Sequence, residues 1–159
     1  MKKMKKMKKI NALVLAGMLS MPIYAEKIPI ETGIGVNYGG NIGANISKPI
    51  NSEIELFAGA GIIGSKVGYT AGGRYYINDS IRLIANYGTN ASVGEIDGTT
   101  VFEGLNFGVD HLSTSGWTVG LMYSDTSKAE NRVEELEREG YIFTKQSSGK
   151  IKISLGYRW

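Results

Sequence analysis

The chain has 159 residues, no cysteine, and a formal net charge of +3. The absence of thiols excludes disulfides, thiolate catalysis, Cys-based zinc sites and a lipid anchor carried on a cleavage-site cysteine. The basic balance is not a nucleic-acid signature: six of the 18 Lys and Arg lie in the first nine residues, which leaves twelve against 15 Asp and Glu, a net charge of −3, over residues 26–159.

The first segment, residues 1–25, reads as a cleaved export signal. Six lysines precede a mostly apolar stretch from Ile10 to Ile23, and Ala25 supplies the small residue before a cut. That stretch is too short to span a bilayer and contains Pro22. Residues 26–159 are then one domain, without an apolar run near the ~20 residues of a spanning helix. Glycine makes up 22 of 159 residues, about twice the usual ~7%, which opposes long helices more than it opposes strands packed backbone to backbone.

Along residues 26–159, apolar residues recur with period 2, the spacing of a strand with one apolar face. Ile30, Thr32, Ile34, Val36 and Tyr38 share the first face, and Gly39-Gly40 supplies a tight turn. Ile42, Ala44 and Ile46 form the second, ended by the turn Lys48-Pro49-Ile50-Asn51-Ser52. Ile54, Leu56, Ala58, Ala60 and Ile62 form the third, and Val67, Tyr69, Ala71, Gly73, Tyr75 and Ile77 the fourth. Asn78-Asp79-Ser80 turns the chain into Ile81, Leu83, Ala85 and Tyr87, after which a polar loop is expected from about Thr89 to Thr100. Val101, Leu105, Phe107 and Val109 precede a turn at residues 113–116, and Trp117, Val119, Leu121 and Tyr123 follow it. The longest loop is expected over 125–148. The last strand carries Ile151, Ile153, Leu155, Tyr157 and Trp159 on one face, with Lys152, Ser154, Gly156 and Arg158 on the other.

Eight strands result, so the expected fold is all-β: an eight-stranded antiparallel up-and-down transmembrane β-barrel. The connections after strands two, four and six are tight, whereas two of those after strands three, five and seven are long. Bacterial barrels show this asymmetry, with short periplasmic turns and longer outer loops. Aromatics at both strand ends suit interfacial girdles: Tyr75, Trp117, Tyr157 and Trp159 at one, Tyr38, Tyr69, Tyr87 and Tyr123 at the other. Period 2 alone does not say which face points outward. The polar face is rich in glycine (Gly33, Gly43, Gly59, Gly61, Gly104, Gly120 and Gly156 among others), which suits a narrow lumen and sets the apolar face toward lipid.

On the terminal Gly156-Tyr157-Arg158-Trp159 and the strand–turn–strand run Gly73–Leu83, the chain resembles the small outer-membrane β-barrels of Gram-negative bacteria, of the OmpA-transmembrane and OmpX type. The resemblance covers residues 26–159 as architecture more than as motif. It implies the outer membrane as location, lipid and lipopolysaccharide as surroundings, and barrel-assembly machinery as a biogenesis partner that reads Gly156, Tyr157 and Trp159. It implies no single activity, because one fold hosts many functions.

The polar face also carries charge: Glu31, Glu53, Glu55, Arg74, Arg82, Asp110 and Arg158 near one end, and Lys152 higher up. Buried charges must pair, so these eight are expected to form a lumen network, with Glu31 meeting Arg158 across the closing seam. A plugged lumen implies a structural or surface-interaction role for a monomer. The alternatives are a narrow-channel porin and a soluble lipocalin-like periplasmic binding barrel, whose cavity the Ile/Leu/Val face would line. Within the long loop, residues 129–140 favour a short helix with Glu134 and Arg138 at i,i+4 and Gly140 as its stop, in a solvated loop. His111-Leu112-Ser113 resembles locally the His/Ser pair of outer-membrane lipid A deacylases, but it lies at a periplasmic turn without a well-placed third group. Gly59-Ala60-Gly61-Ile62-Ile63-Gly64 matches a dinucleotide fingerprint, yet strands flank it where that motif needs a helix. No enzyme activity, cofactor, metal or nucleic acid is expected.

Overall fold

The computed structural model of the protein describes residues 28–95, 98–141 and 149–159. The signal-peptide reading of residues 1–25 lies outside these residues, as does the 142–148 part of the long loop. Eight antiparallel strands in sequence order close into a barrel among the described residues: β1 Ile30–Gly35, β2 Gly40–Pro49, β3 Ile54–Ile63, β4 Lys66–Tyr76, β5 Ile81–Glu95, β6 Gly98–Leu112, β7 Trp117–Ser124 and β8 Ile151–Arg158. The seam pairs β1 with β8, Glu31 opposite Arg158 and Ile34 opposite Leu155. Closure gives every strand a neighbour on both sides within the barrel wall, while the β5–β6 tip beyond Gly88 and Asn106 pairs only with itself.

The tight turns share one chemistry. Asn51 Oδ1 accepts from the backbone N–H groups of Glu53 (2.8 Å) and Ile54 (2.7 Å), and Asn78 Oδ1 does the same for Ser80 (2.9 Å) and Ile81 (2.8 Å). Ser113 Oγ accepts from Trp117 N at 2.9 Å in the third. Side chains that mimic a backbone acceptor hold such turns closed. We call this end of the barrel, which also holds the start of β1 and the end of β8, the lower end.

The barrel is apolar outside and polar inside. Val67 is 78% exposed and Ile153 70%, with Ile42, Ile62, Leu105 and Leu121 also on the outer wall. Inside lie Asn45, Ser47, Thr70, Asn86, Asn106 and Thr118 together with the charged residues. A small apolar cluster of Val36, Phe57, Ile84 and Met122 fills the space between the polar groups.

Three features differ from the sequence expectation. First, Val36 and Tyr38 do not continue the outer face of β1. The chain leaves the strand at Gly35 (φ 102°), makes a 3-10 turn over Val36–Tyr38, and re-enters the wall after Gly39 (φ 75°). The turn is folded into the lumen, where Val36, Asn37 and Tyr38 are all buried. Positive φ at both ends is what glycine permits without strain. Glycine also provides the room: a Cβ on Gly33 would lie 2.6 Å from the Tyr38 ring, and one on Gly156 would clash with the Tyr38 hydroxyl.

Second, residues 89–95 and 98–100 are strand and not loop. β5 and β6 run 15 residues each, and the register shifts between Thr89 and Ala91, which leaves Asn90 as the bulged residue. Third, the helix α1, Ser127–Arg138, is not free in solvent. Its Ala129 and Leu136 pack with Ala91 and Val93 of β5, and Val133 and Phe102 join them. The second and third differences share a cause: the hairpin tip and the helix each bury an apolar stripe that neither buries alone. The expected Glu134–Arg138 pair is present at 3.7 Å, and Gly140 ends the helix with φ 92°.

Candidate functional site

The period-2 phase of three neighbouring strand pairs brings six charged side chains to one layer near the lower end. Glu31 opposes Arg158, Glu55 opposes Arg74 and Arg82 opposes Asp110 in the strand register. Each of these pairs is bonded. Arg158 Nε donates to Glu31 Oε1 at 2.8 Å, Arg74 Nη1 to Glu55 Oε1 at 2.6 Å, and Arg82 holds Asp110 bidentately at 2.7 and 2.8 Å.

Bonds across the lumen tie the pairs together. Glu31 also accepts from Arg74 Nη2 and Arg82 Nη1, both at 2.9 Å, so one carboxylate holds three guanidinium groups. Arg158 Nη2 reaches Glu55 at 2.6 and 2.7 Å, Arg158 Nη1 donates to Tyr76 OH at 2.8 Å, and Tyr76 OH donates to Glu55 Oε2 at 3.1 Å. The Arg74 guanidinium stacks 4.2 Å above the Phe57 ring. Three cations face three anions, so the layer is neutral. Its arginines suit planar, bidentate pairing in a dry site better than lysines would. Glu31 and Arg82 are fully buried and Arg74 is 1% exposed.

Above this layer the infolded turn supplies a second one. Asn45 Nδ2 donates to Asn37 O (3.2 Å), Asn86 Nδ2 to Asn37 Oδ1 (3.3 Å), Asn106 Nδ2 to Asn86 Oδ1 (2.8 Å), and Tyr38 OH shares a 2.7 Å hydrogen bond with Thr118 Oγ1. Alternation alone misses Val36 and Tyr38 as lumen residues, because period 2 places both on the outer wall and Tyr38 in a girdle, whereas Asn37 falls on the inward face by the same count. The signal that could have found them is the flanking Gly35 and the Gly39-Gly40 pair, which mark a place where the backbone can leave the strand.

Six of the eight expected network residues meet: Glu31, Glu55, Arg74, Arg82, Asp110 and Arg158. Glu53 does not. It lies exposed in the β2–β3 turn, one residue before β3 begins, with its backbone N–H bound to Asn51. Lys152 does not either; it is half-buried at the far end of β8, so it balances no charge in the layer. Gly156, Tyr157 and Trp159 sit at the lower end. Tyr157 makes edge-to-face contacts with Trp117 (5.4 Å between centroids) and Trp159 (4.9 Å), and Gly156 is buried beneath Tyr38.

His111 is exposed on the outer wall, while its neighbour Asp110 points inward to Arg82 and Ser113 Oγ serves the turn. Gly59 to Ile63 lie in β3, and the strand β4 follows. Every carboxylate of the layer binds guanidinium. Among the described residues no group of three His, Asp or Glu is arranged to hold a metal ion.

Outside the barrel wall, Arg132 of α1 grips Glu95 at the β5 tip with bonds of 3.1 and 3.3 Å. The Arg132 guanidinium, helped by Thr100, holds the Glu95 carboxyl below the usual carboxylate range. Asp125 Oδ1 accepts from Ser127 Oγ (2.7 Å) and Ser127 N (3.2 Å) at the start of the helix, and these bonds lower its carboxyl as well. The charge layer fills and cross-braces the lower part of the barrel.

No family model, no curated protein and no solved structure matches the chain.

Proposed function

We propose that the protein is an integral outer-membrane β-barrel with a structural or surface-interaction role and a lumen closed by its charge network. The observation that carries this reading is the inverted polarity of the wall. Ile30, Ile42, Ile46, Leu56, Ile62, Leu83, Leu105, Phe107, Val119, Leu121, Ile153 and Leu155 are exposed, while Glu31, Arg74 and Arg82 are buried. Exposed apolar surface far beyond a single patch of a few hundred Å² marks a surface meant for another apolar phase. In a soluble lipocalin-like barrel the same aliphatic residues would line the interior.

Supporting features follow the depth of a bilayer. Strands β2, β3 and β4 have 10, 10 and 11 residues, matching the roughly 9–11 of a tilted spanning strand. Exposed Tyr75, Trp117 and Trp159 ring the lower end, and Tyr69, Tyr87 and Tyr123 ring the upper, as in the two girdles of such barrels. On this reading the lower end faces the periplasm, and the Tyr157–Trp159 pair forms part of the signal read by the assembly machinery. The closed charge layer favours a plug over a channel.

Fractionation combined with planar-bilayer recording tests this. The full chain is expected in detergent-extracted membranes, with heat-modifiable gel mobility and no steady conductance. Recovery in the soluble periplasm would defeat the membrane reading in favour of a binding barrel. Reproducible single-channel steps would defeat the plug.

A further inference from the structure

A cavity of about 410 Å³ lies at the upper end, on the far side of the infolded turn from the charge layer. Val36 of that turn lines it, together with Ile63, Asn90, Val93, Lys152 and Val133 of α1. Its volume falls within the ~300–1,000 Å³ of small-molecule sites, and mostly apolar walls with a few polar groups are what such sites have.

Among the described polar residues that line it, Asn41, Thr89, Asn90, Ser92 and Lys152, the lysine is the one charge. Lys152 occupies an inward position of β8 and is half-buried, and no carboxylate lines the cavity among the described residues. It makes no ion pair and no hydrogen bond with the described residues, in contrast to Arg74, Arg82 and Arg158, each bound to two carboxylates. A cation drawn partly out of water beside aliphatic walls is unfavourable without a counter-charge. Asn90 is the bulged residue of β5. Its Nδ2 donates to Asp125 O at 2.7 Å, which fixes the amide, and its Oδ1 is buried with no partner among the described residues. That oxygen has no open surface toward the cavity, so Asn90 is part of the wall and offers no hydrogen bond to an occupant.

We propose that this cavity binds an amphiphilic organic monoanion. Lys152 provides the counter-charge, and Val36, Ile63, Val93 and Val133 enclose the apolar body. At ~30 Å³ for each water-sized group, the cavity holds up to about fourteen such groups, the size of a ten-carbon hydroxy acid. The α1 helix, clamped to the β5 tip by Arg132 and Glu95, then acts as the roof of a site.

The inference does not depend on the membrane reading, since the titration runs in phosphatidylcholine nanodiscs or, for a soluble protein, in plain buffer. The full chain is titrated calorimetrically with 3-hydroxydecanoate, decanoate and decyltrimethylammonium, with empty nanodiscs as the blank. Saturation by 3-hydroxydecanoate at one site per chain is expected. Decanoate, which shares the carboxylate and the chain, should saturate the same site, and the cation should not. Lys152→Met should weaken both acids by about tenfold or more, the loss typical of a hydrogen bond to a charged group, while Lys152→Arg retains binding and shows that the position itself tolerates substitution. Val133→Trp, which fills the space under the roof, should abolish it. Absence of saturable acid binding, equal binding of the cation, or unchanged affinity in Lys152→Met overturns the proposal.

Discussion

Glu31 is the residue on which the lumen network turns, and Glu31→Gln is the sharpest test of that network. The wild-type carboxylate accepts from Arg158, Arg74 and Arg82 at 2.8, 2.9 and 2.9 Å in a fully buried setting. The glutamine keeps the volume but removes the charge, and it turns an Nε2 donor toward groups that are themselves donors. A neutral layer of three cations and three anions becomes one of net +1 out of water. Breaking a buried pair on one side costs about 3–5 kcal/mol, a large share of the ~5–15 kcal/mol that holds a domain folded. With a urea slope of about 1–3 kcal/mol per molar, the unfolding midpoint should fall by roughly 1 M or more. The assay is equilibrium urea unfolding of the barrel refolded into lipid, followed by tryptophan fluorescence and by heat-modifiable mobility. The double variant Glu31→Gln/Arg158→Gln restores neutrality. It should be less destabilised than the sum of the single variants, by about 1–3 kcal/mol as expected for residues in one network. A Glu31→Gln variant within about 0.5 kcal/mol of wild type, the range of an ordinary surface change, would refute the reasoning, as would strict additivity of the two substitutions.

The infolded turn and the roof give further expectations. Tyr38→Phe removes the 2.7 Å bond to Thr118 and should cost about 1 kcal/mol in the same unfolding assay. Gly156→Ala places a methyl on the Tyr38 hydroxyl and should cost about 1–3 kcal/mol through overpacking; equal stability would mean that the turn does not occupy the lumen. Leu136→Ala opens the contact between α1 and the β5 tip, so hydrogen exchange should rise across α1 and the hairpin tip while the lower strands keep their protection. Acid should act on the same contact. Glu95 has its carboxyl lowered by Arg132, so the clamp is at full strength above the ordinary carboxylate pKa of about 4.3 and is lost as pH falls through the lower folded value. Exchange protection of α1 should therefore stay level from neutral pH to about pH 5 and decline below pH 4, whereas Glu95→Gln should show a weaker clamp with no such decline; an identical decline in that variant would assign it to other carboxylates.

Much of the charge layer is legible in the chain alone because strand registers obey simple arithmetic. Once eight alternating segments and the tight turns are counted, Glu31/Arg158 follows from the seam, while the partners of Arg74 and Arg82 stay open among Glu53, Glu55 and Asp110 until the strand register gives Glu55/Arg74 and Arg82/Asp110. Glu53 departs from the pattern because its inward phase ends where β3 begins, and alternation means nothing in a turn. Lys152 departs because sharing a face is not sharing a depth; it sits about six residues up β8 from Arg158, which at roughly 3.3 Å per residue is near 20 Å of strand. Tyr38 departs for a different reason. An aromatic at a strand end suits an interface girdle equally well until the backbone is seen to turn inward at Gly35.

From the sequence come the strand count, the turn residues, the phase of the alternation and the short helix, since each depends on neighbours within a few positions: period 2, an Asn or Ser acceptor in a turn, Glu134 four residues before Arg138. Tertiary structure alone decided the infolding of Val36–Tyr38, the extension of β5 and β6 beyond the expected loop, the docking of α1 on that extension, and the cavity enclosed between them. These depend on space left by residues distant in the chain, such as the missing Cβ atoms of Gly33 and Gly156 beneath Tyr38 and the apolar stripe shared by Ala91, Val93, Ala129 and Leu136. Local pattern says which face a residue takes; only the closed barrel says what that face meets.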